Sequence, residues 1–252
     1  MLSLPFGCSP MRLFAVCCLL LCGLLGGTGA IAQSPYRLTT GREAAWMGGS
    51  AVLWGGSKWL SRSVRPLTPA QIAALHAEQV PRFDRYSLRH FSLRARRGSD
   101  VLLYAAPVLP VLLALDPDVR KSTPAYDVLC VESVAVTTAL TSLVKNTARR
   151  TRPFVYQADA PLSMKTQKDA RASFFSGHTS TVAAFAFSTA KIWSDHHPCG
   201  ARGRTWLWVG AAALPLTTGF LRMKAGRHFP TDVLAGFAVG ALCGWAVPQL
   251  HR

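Results

Sequence analysis

Basic residues and histidines stand beside the ends of apolar runs in the second half of the chain. Lys145 and Arg152 follow one run, and Ser176, Gly177 and His178 precede another. Lysine offers a phosphoryl group a point charge, and arginine offers it a bidentate fork. The free N–H groups of a helix N-terminus also favour an anion, and a histidine beside that anion can act as an acid or a base. These segments therefore predict a phosphate-binding site.

A third segment supplies a nucleophile for such a site. His228 and Asp232 stand four residues apart, and Arg222 precedes His228 by six residues. We expect His228 to lie just before a helix with Pro230 near its first turn, and Gly226 to allow the preceding turn. The Asp232 carboxylate would then accept a hydrogen bond from one imidazole nitrogen and leave the other nitrogen free to attack.

Each of these segments also has an ordinary interpretation when it is taken alone. The basic cluster is typical of the flank of a membrane helix, and Ser176 is typical of a plain helix N-cap. The pair of His228 and Asp232 is typical of a surface histidine beside a capping carboxylate. The hypothesis of one anion site therefore requires the three segments to lie at the same end of the fold.

Apolar helices must bring these segments together. None of the apolar runs alternates with a period of two, so the pattern predicts an all-α bundle of five to six apolar helices and no sheet. We expect this bundle to be transmembrane. Several runs are shorter than the span of about 20 residues that a bilayer requires, so buried helices of a compact bundle are the alternative. The five strongest runs are 101–115, 126–144, 179–193, 205–221 and 233–247.

The composition favours a membrane protein over a nucleic-acid-binding protein. Half of the residues are hydrophobic, 16% are charged and the net charge is +16. The basic residues form small groups between apolar runs, so we expect anionic lipid or an anionic substrate as partner and no nucleic acid. The seven cysteines have no paired spacing, and they predict neither a disulfide framework nor a metal site.

Two regions precede the predicted bundle at 100–252. Residues 1–32 have a basic flank, an apolar core and small residues before Gln33, which is typical of a signal peptide. An uncleaved anchor is the alternative. Residues 33–99 form a predicted peripheral region with amphipathic helices, in which Thr68 caps a helix. Within it, 44–60 is either a weak span or a surface helix, and the arginine-rich 82–97 is expected on anionic lipid.

The predicted topology places the polar segments on the periplasmic side of a bacterial inner membrane. This holds if the leader is cleaved and 44–60 does not cross, and a soluble periplasmic location is the alternative. The short inner loops would then carry an excess of basic residues, as expected for cytoplasmic loops, whereas the basic stretch 82–97 would lie outside. A spanning 44–60 would instead turn the site to the cytoplasm. The basic loop residues are Arg120, Lys121, Arg202 and Arg204.

Together the three segments resemble the type 2 phosphatidic acid phosphatase superfamily, which includes bacterial acid phosphatases and vanadium haloperoxidases. The resemblance covers about residues 100–248. Phe175 and Leu221 stand where the family usually has proline and serine, and loss of that serine hydroxyl would weaken a phosphate contact. The family motifs Lys-x6-Arg-Pro, Pro-Ser-Gly-His and Ser-Arg-x5-His-x3-Asp stand here as Lys145…Arg152-Pro153, Ser176-Gly177-His178 and Arg222…His228…Asp232.

The resemblance implies a mechanism and a role for each residue. His228 would attack phosphorus and form a phosphohistidine, oriented by Asp232. His178 would protonate the leaving oxygen and then activate water. No metal and no other cofactor is expected, because the carboxylates are too few and too scattered for a two-metal site. The phosphoryl oxygens would be held by Lys145, Arg152, Ser176, Gly177 and Arg222.

The leading hypothesis is a membrane-associated, metal-independent phosphatase that hydrolyses a phosphomonoester or diphosphate of a lipid. Phosphatidate, phosphatidylglycerol phosphate, a polyprenyl diphosphate and a lipid A phosphate are all candidate substrates. The alternatives are a soluble periplasmic non-specific acid phosphatase and a vanadium-dependent haloperoxidase. A basic membrane protein that only recruits anionic lipid is the non-enzymatic alternative. The sequence predicts no oligomeric state.

Overall fold

Helices form every regular element of residues 34–252, the part of the chain that this computed structural model describes. The predicted all-α class is therefore confirmed. The predicted signal peptide at 1–32 lies outside the described residues. Short 3₁₀ helices connect the α-helices at Ala77–Gln79, Arg82–Arg89, Pro153–Tyr156 and Lys168–Arg171. The α-helices of this part are α1 (Thr40–Ser61), α2 (Pro69–Ala73), α3 (Leu93–Ala105), α4 (Val108–Leu113), α5 (Pro117–Arg120), α6 (Thr123–Ala148), α7 (Leu162–Lys165), α8 (Gly177–His196), α9 (Ala201–Lys224) and α10 (Pro230–Leu250).

The long helices alternate in direction, so the polar segments gather at one end of the bundle. There the backbone N–H of Ser176 donates to the carbonyl oxygen of Asp232 over 2.9 Å, which joins the starts of α8 and α10. The N–H of Ser92 donates to the carbonyl oxygen of Lys224 over 3.2 Å, which joins the start of α3 to the end of α9. We call this the polar end, and it holds the segments 145–152, 173–178 and 222–232.

α1 runs parallel to α6 along the side of the bundle. Near the polar end, the Asn146 side chain donates to the carbonyl oxygen of Ser57 over 2.9 Å. At the opposite end, Glu43 in the first turn of α1 lies 2.9 Å from the ring of His251, which follows α10. Residues 34–39 and the polar end therefore lie at opposite ends of the bundle.

α8 is the central helix, and α10 lies very close to it because glycine repeats at every fourth position of the contact face. A Cβ at Gly240 would lie 2.1 Å from the carbonyl oxygen of Ser180, and one at Gly244 would lie 2.5 Å from that of Ala184. Only residues without a side chain allow backbones to approach this closely. The glycine face of α10 therefore sets the spacing that brings Asp232 to the start of α8.

The apolar runs are less regular than the sequence predicts. The run at 101–115 is not one helix, because α3 ends at Ala105 and α4 covers only Val108–Leu113. Pro107 between them has no N–H to continue the helical hydrogen bonds. Within residues 34–252, two helical segments are long and apolar enough to cross a membrane, Thr123–Tyr156 and Pro230–Leu250.

The N-terminal region packs against the bundle more extensively than a peripheral region would. Leu67 is buried beside Phe154, and the predicted boundary between residues 99 and 100 falls inside α3. Thr68 caps a helix as predicted, but that helix ends at Ala73. The arginine-rich stretch 82–97 forms a 3₁₀ helix and the first turns of α3, and its Asp84 is buried.

Alanine at Gly240 is expected to destabilise the protein, because its methyl group would overlap the backbone of α8. The free energy of unfolding should fall by about 1–3 kcal/mol, the usual cost of overpacking. Gly210→Ala in α9 is the matched control, because a Cβ there would meet nothing within 4 Å. Thermal unfolding in detergent measures both variants. Equal melting temperatures for the two would contradict the close α8–α10 contact.

Candidate active site

The structure brings all of the predicted site residues to the polar end. Nη1 of Arg152 lies 3.3 Å from Nε2 of His228. A Cβ on Gly177 would lie 3.7 Å from Nζ of Lys145, so glycine leaves the lysine side chain room to reach the start of α8. The residues brought together are Lys145, Arg152, Ser176, Gly177, His178, Arg222, His228 and Asp232.

His228 is fully buried in the loop between α9 and α10. As predicted, it lies just before the helix, which begins at Pro230. Gly226 makes the preceding turn with a φ of 67°. Nδ1 of His228 donates to the carbonyl oxygen of Ser173 over 2.7 Å, so the lone pair of Nε2 faces Arg152. Burial, then the positive charges of Arg152 and Lys145, lower the pKa of His228 well below its usual value. The ring is therefore neutral and nucleophilic at neutral pH.

Asp232 contacts the imidazole less directly than the sequence predicts. Its Oδ2 lies 3.7 Å from Nδ1 of His228, beyond hydrogen-bond distance. The same oxygen accepts from the backbone N–H of Phe229 over 2.8 Å and from the Ser173 hydroxyl over 2.6 Å. The carboxylate reaches back to cap α10, so Ser173 stands between it and the ring. Ser173 links the two by donating to Asp232 and accepting from His228.

His178 is held by a carboxylate that sequence reasoning missed. Its Nε2 lies 2.8 Å from Oδ1 of Asp100 in α3. Nη1 of Arg222 donates to the same oxygen over 3.1 Å and to the Ser99 hydroxyl over 3.2 Å. Asp100 therefore positions an imidazole and a guanidinium together. The polar pair Ser99-Asp100 opens an apolar run, and this was the signal available in the sequence.

A second missed carboxylate, Asp169, holds two arginines beside His228. Arg152 donates from Nη2 to Oδ1 of Asp169 over 2.8 Å and from Nε to its carbonyl oxygen over 2.7 Å. Arg227 donates to Oδ2 over 2.9 Å. Partial desolvation at the rim of the site would raise the pKa of Asp169, but the charges of Arg152 and Arg227 hold it well below its usual range. The charged carboxylate thus fixes Arg152 in the direction of His228.

A third ion-pair network fastens the 82–89 segment to the site. Arg150 donates from Nη2 to Asp84 and from Nη1 to Asp232, over 2.6 Å in each case. Asp84 also accepts from the backbone N–H of Thr231 over 3.0 Å. The Ser87 hydroxyl donates to the carbonyl oxygen of His228 over 2.8 Å. These contacts fasten the loop that carries His228 to the 82–89 segment of the N-terminal region.

The arrangement suits a tetrahedral oxyanion. Several cations surround one buried imidazole nitrogen, while the nearby carboxylates are engaged by arginine or by His178. Charges fixed in this way stabilise a phosphoryl group without reorganisation during reaction. The cations are Lys145, Arg152 and Arg222, and Arg227 lies beside them on Asp169.

A helical bundle with this arrangement of cations and imidazoles is suited to holding a phosphoryl group. The description of the PAP2 superfamily, whose members are phosphatases, matches residues 128–252, and these include every predicted site residue. The resemblance to type 2 phosphatidic acid phosphatases in the sequence is therefore confirmed.

Two further comparisons accompany the family match. No curated protein matches the chain. Among solved structures, the fold is similar to a transmembrane PAP2 type phosphatidylglycerolphosphate phosphatase from Bacillus subtilis. The two chains are 18% identical, the TM-score is 0.45, and the alignment covers 96% of this chain and 94% of that one.

Replacing Asp100 with asparagine is expected to lower kcat by about 10- to 100-fold, part of the factor of 10²–10⁴ that acid–base catalysis contributes. The amide keeps the size of the side chain but loses the charge that orients His178. Asp118→Asn is the control, because that exposed carboxylate pairs with Lys121 at 3.5 Å and contacts none of the predicted site residues within residues 34–252. Phosphate release and melting temperature are measured for both. A fully active Asp100→Asn protein would contradict the positioning role.

Proposed function

We propose that the protein is a membrane phosphatase that removes a phosphoryl group from a lipid phosphate through a phosphohistidine at His228. One observation carries the proposal. Nδ1 of the buried His228 is tied to the carbonyl oxygen of Ser173 at 2.7 Å, while Nε2 faces Nη1 of Arg152 at 3.3 Å. A phosphoryl group held by Arg152 would therefore meet the free lone pair of the imidazole.

The first step forms a bond between Nε2 of His228 and phosphorus and breaks the bond to the leaving oxygen. Lys145, Arg152 and Arg222 neutralise the phosphoryl oxygens, together with the N–H groups at the start of α8. His178 gives a proton to the leaving oxygen. Since Asp100 holds Nε2 of His178, Nδ1 is the nitrogen that exchanges this proton.

The second step removes phosphate from the enzyme. His178, now neutral, takes a proton from water, and the hydroxide formed attacks phosphorus. The bond between phosphorus and Nε2 of His228 breaks, and inorganic phosphate leaves. The loop network around Ser173 and Asp232 keeps the ring in place while its charge changes.

The outer faces of the long helices support a membrane location and hence a lipid substrate. Exposed apolar side chains are common on α1, α3, α4, α9 and α10, and contiguous apolar surface of this kind marks a membrane contact. Exposed tryptophans lie towards both ends of the bundle, as in the aromatic belts of membrane proteins. The exposed apolar residues include Val52, Trp59, Val101, Val111, Trp206, Leu216, Leu242 and Trp245.

We propose a site that faces the periplasm of a bacterial inner membrane. Basic residues in the short connections at the end opposite the site support this orientation, among them Arg120, Lys121 and Arg202. α1 runs parallel to α6 and begins at the end opposite the site, so a periplasmic site places the start of α1 towards the cytoplasmic side of the bundle.

A soluble periplasmic acid phosphatase is the second candidate function. It is favoured by one observation, that only two helical segments of residues 34–252 pass the length and composition test for a membrane span. Carbonate extraction of membranes separates the two candidates, because a soluble protein is released and an integral protein is retained.

Purified protein in detergent is expected to release phosphate from lipid phosphates faster than from soluble phosphomonoesters. The substrate panel contains phosphatidate, phosphatidylglycerol phosphate, a polyprenyl diphosphate and a lipid A phosphate, with p-nitrophenyl phosphate as the soluble control. His228→Gln should abolish release, because within residues 34–252 His228 is the imidazole that lies within hydrogen-bond reach of Arg152. Preference for the soluble ester would overturn the lipid substrate, and an active His228→Gln protein would overturn the nucleophile.

His178→Asn is expected to trap the covalent intermediate. Without an acid and base the turnover number should fall by about 10²–10⁴-fold, and the loss of water activation should leave phosphate on His228. Rapid acid-free quenching with ³²P-labelled substrate, followed by alkaline gel electrophoresis, detects the acid-labile phosphohistidine. The double variant His178→Asn/His228→Gln is the control. Equal label on both proteins would place the phosphate elsewhere.

A further inference from the structure

Three potential metal ligands meet at the end of the bundle opposite the active site. Nε2 of His251 lies 2.9 Å from Oε2 of Glu43 and 3.2 Å from Oε2 of Glu132. One ligand atom from each residue lies within 4.8 Å of the other two. The three side chains come from α1, from α6 and from the residue that follows α10.

His251 is oriented as a metal-binding histidine is. Its side chain is fully buried, and its Nδ1 donates to the carbonyl oxygen of Val247 over 2.7 Å. A backbone carbonyl in this position fixes the tautomer and leaves the Nε2 lone pair free for an ion. That lone pair points towards the carboxylates of Glu43 and Glu132, where a cation is needed to join the three groups.

Glu132 supplies an independent observation that a ligand belongs here. Its side chain is 1% exposed, and neither of its carboxylate oxygens makes a hydrogen bond within residues 34–252. Its Oε2 lies 3.2 Å from Nε2 of His251, a ring nitrogen that Glu43 also contacts at 2.9 Å. One imidazole nitrogen shared by two carboxylates leaves a buried carboxylate poorly compensated, and structures satisfy such groups by pairing or by metal coordination.

We propose that Glu43, Glu132 and His251 bind one divalent transition-metal ion, for which Zn²⁺ is the representative probe. One imidazole and two carboxylates form a common donor set for such ions. Ligand atoms about 2.0 Å from a tetrahedral ion are about 3.3 Å apart, close to the separations of 2.9 Å and 3.2 Å from Nε2. Two carboxylate charges balance the charge of the ion.

The ion has a structural role and not a catalytic one. α10 begins beside the phosphate site and ends before His251, so its 21 residues separate the two sites by about 30 Å at a rise of 1.5 Å per residue. The ion would fasten α1 to α6 and to the end of α10. The proposal does not depend on the phosphatase function, because its readouts are metal binding and stability.

The test uses the full-length protein in detergent after removal of metals with a chelator. Dialysis against Zn²⁺ and elemental analysis should give one bound equivalent, and Co²⁺ should give the visible absorption of a low-symmetry nitrogen and oxygen site. Zn²⁺ should also raise the melting temperature. Failure of the wild-type protein to bind one equivalent of Zn²⁺ would overturn the proposal. A proton shared between His251 and the carboxylates would then join the three groups.

Matched variants localise the ion. Glu132→Gln and His251→Gln should bind Zn²⁺ at least about 10-fold more weakly, since even the loss of an outer partner costs that factor. Glu78→Gln, an exposed carboxylate away from the cluster, should bind as the wild type does. Unchanged affinity in Glu132→Gln would overturn the assignment. The wild-type Co²⁺ spectrum decides the question even where a variant does not fold.

Discussion

Several positive charges must stay close together at the polar end before any anion arrives. Like charges at such distances repel strongly in partly buried surroundings, and carboxylates on the rim hold them in place. The side chain of Asp169 is 51% exposed while that of Arg152 is 5% exposed, and Asp100 and Arg222 show 35% and 6%. The anions therefore face outward and the guanidinium groups face inward. This division leaves an interior surface that is positive and rigid, as stabilisation of a phosphoryl transition state requires.

The same charges determine the state of the nucleophile. Burial and the neighbouring cations lower the pKa of His228, so the imidazole enters the reaction neutral. A bound phosphate brings negative charge to the same place and reverses the local field. In the proposed mechanism, the cationic phosphohistidine would form where its charge is compensated, while Ser173 keeps Nδ1 in a fixed hydrogen bond. Substrate binding and activation of the proposed nucleophile would thus depend on one arrangement of charges.

The motifs of the sequence predicted which residues meet at the polar end, because each lies within a turn of a helix end. Helix N-termini at Ser176 and near Pro230 could be predicted from capping residues alone. The carboxylates that hold the cations were missed, since Asp169 lies in a segment with no spacing that marks it and Asp100 is marked only by its place at the start of an apolar run. The cluster of Glu43, Glu132 and His251 could not be predicted either, because its three residues are far apart in the sequence and meet only in the folded chain.

Residues 101–115 were predicted as one run although the helix breaks at Pro107. Hydrophobicity alone does not reveal that proline lacks the N–H group needed to continue a helix. The contact of Asp232 was also predicted incompletely. An aspartate at the third position of a helix either caps the helix or turns to a neighbouring side chain, and the spacing of four residues allows both. The backbone N–H of Phe229 donates a hydrogen bond to Oδ2 of Asp232 over 2.8 Å. The link from this carboxylate to His228 therefore runs through Ser173.

One departure from the family motif shows why the site is larger than the matched region. Leu221 stands where a serine is usual, so the residue directly before Arg222 has no hydroxyl. The Ser99 hydroxyl instead donates to the carbonyl oxygen of Arg96 over 2.7 Å and accepts from Arg222 over 3.2 Å. Ser99 and Asp100 both belong to α3, which precedes the matched residues 128–252. A fragment limited to the matched residues would therefore keep the motifs but lose the contacts that aim Arg222 and His178.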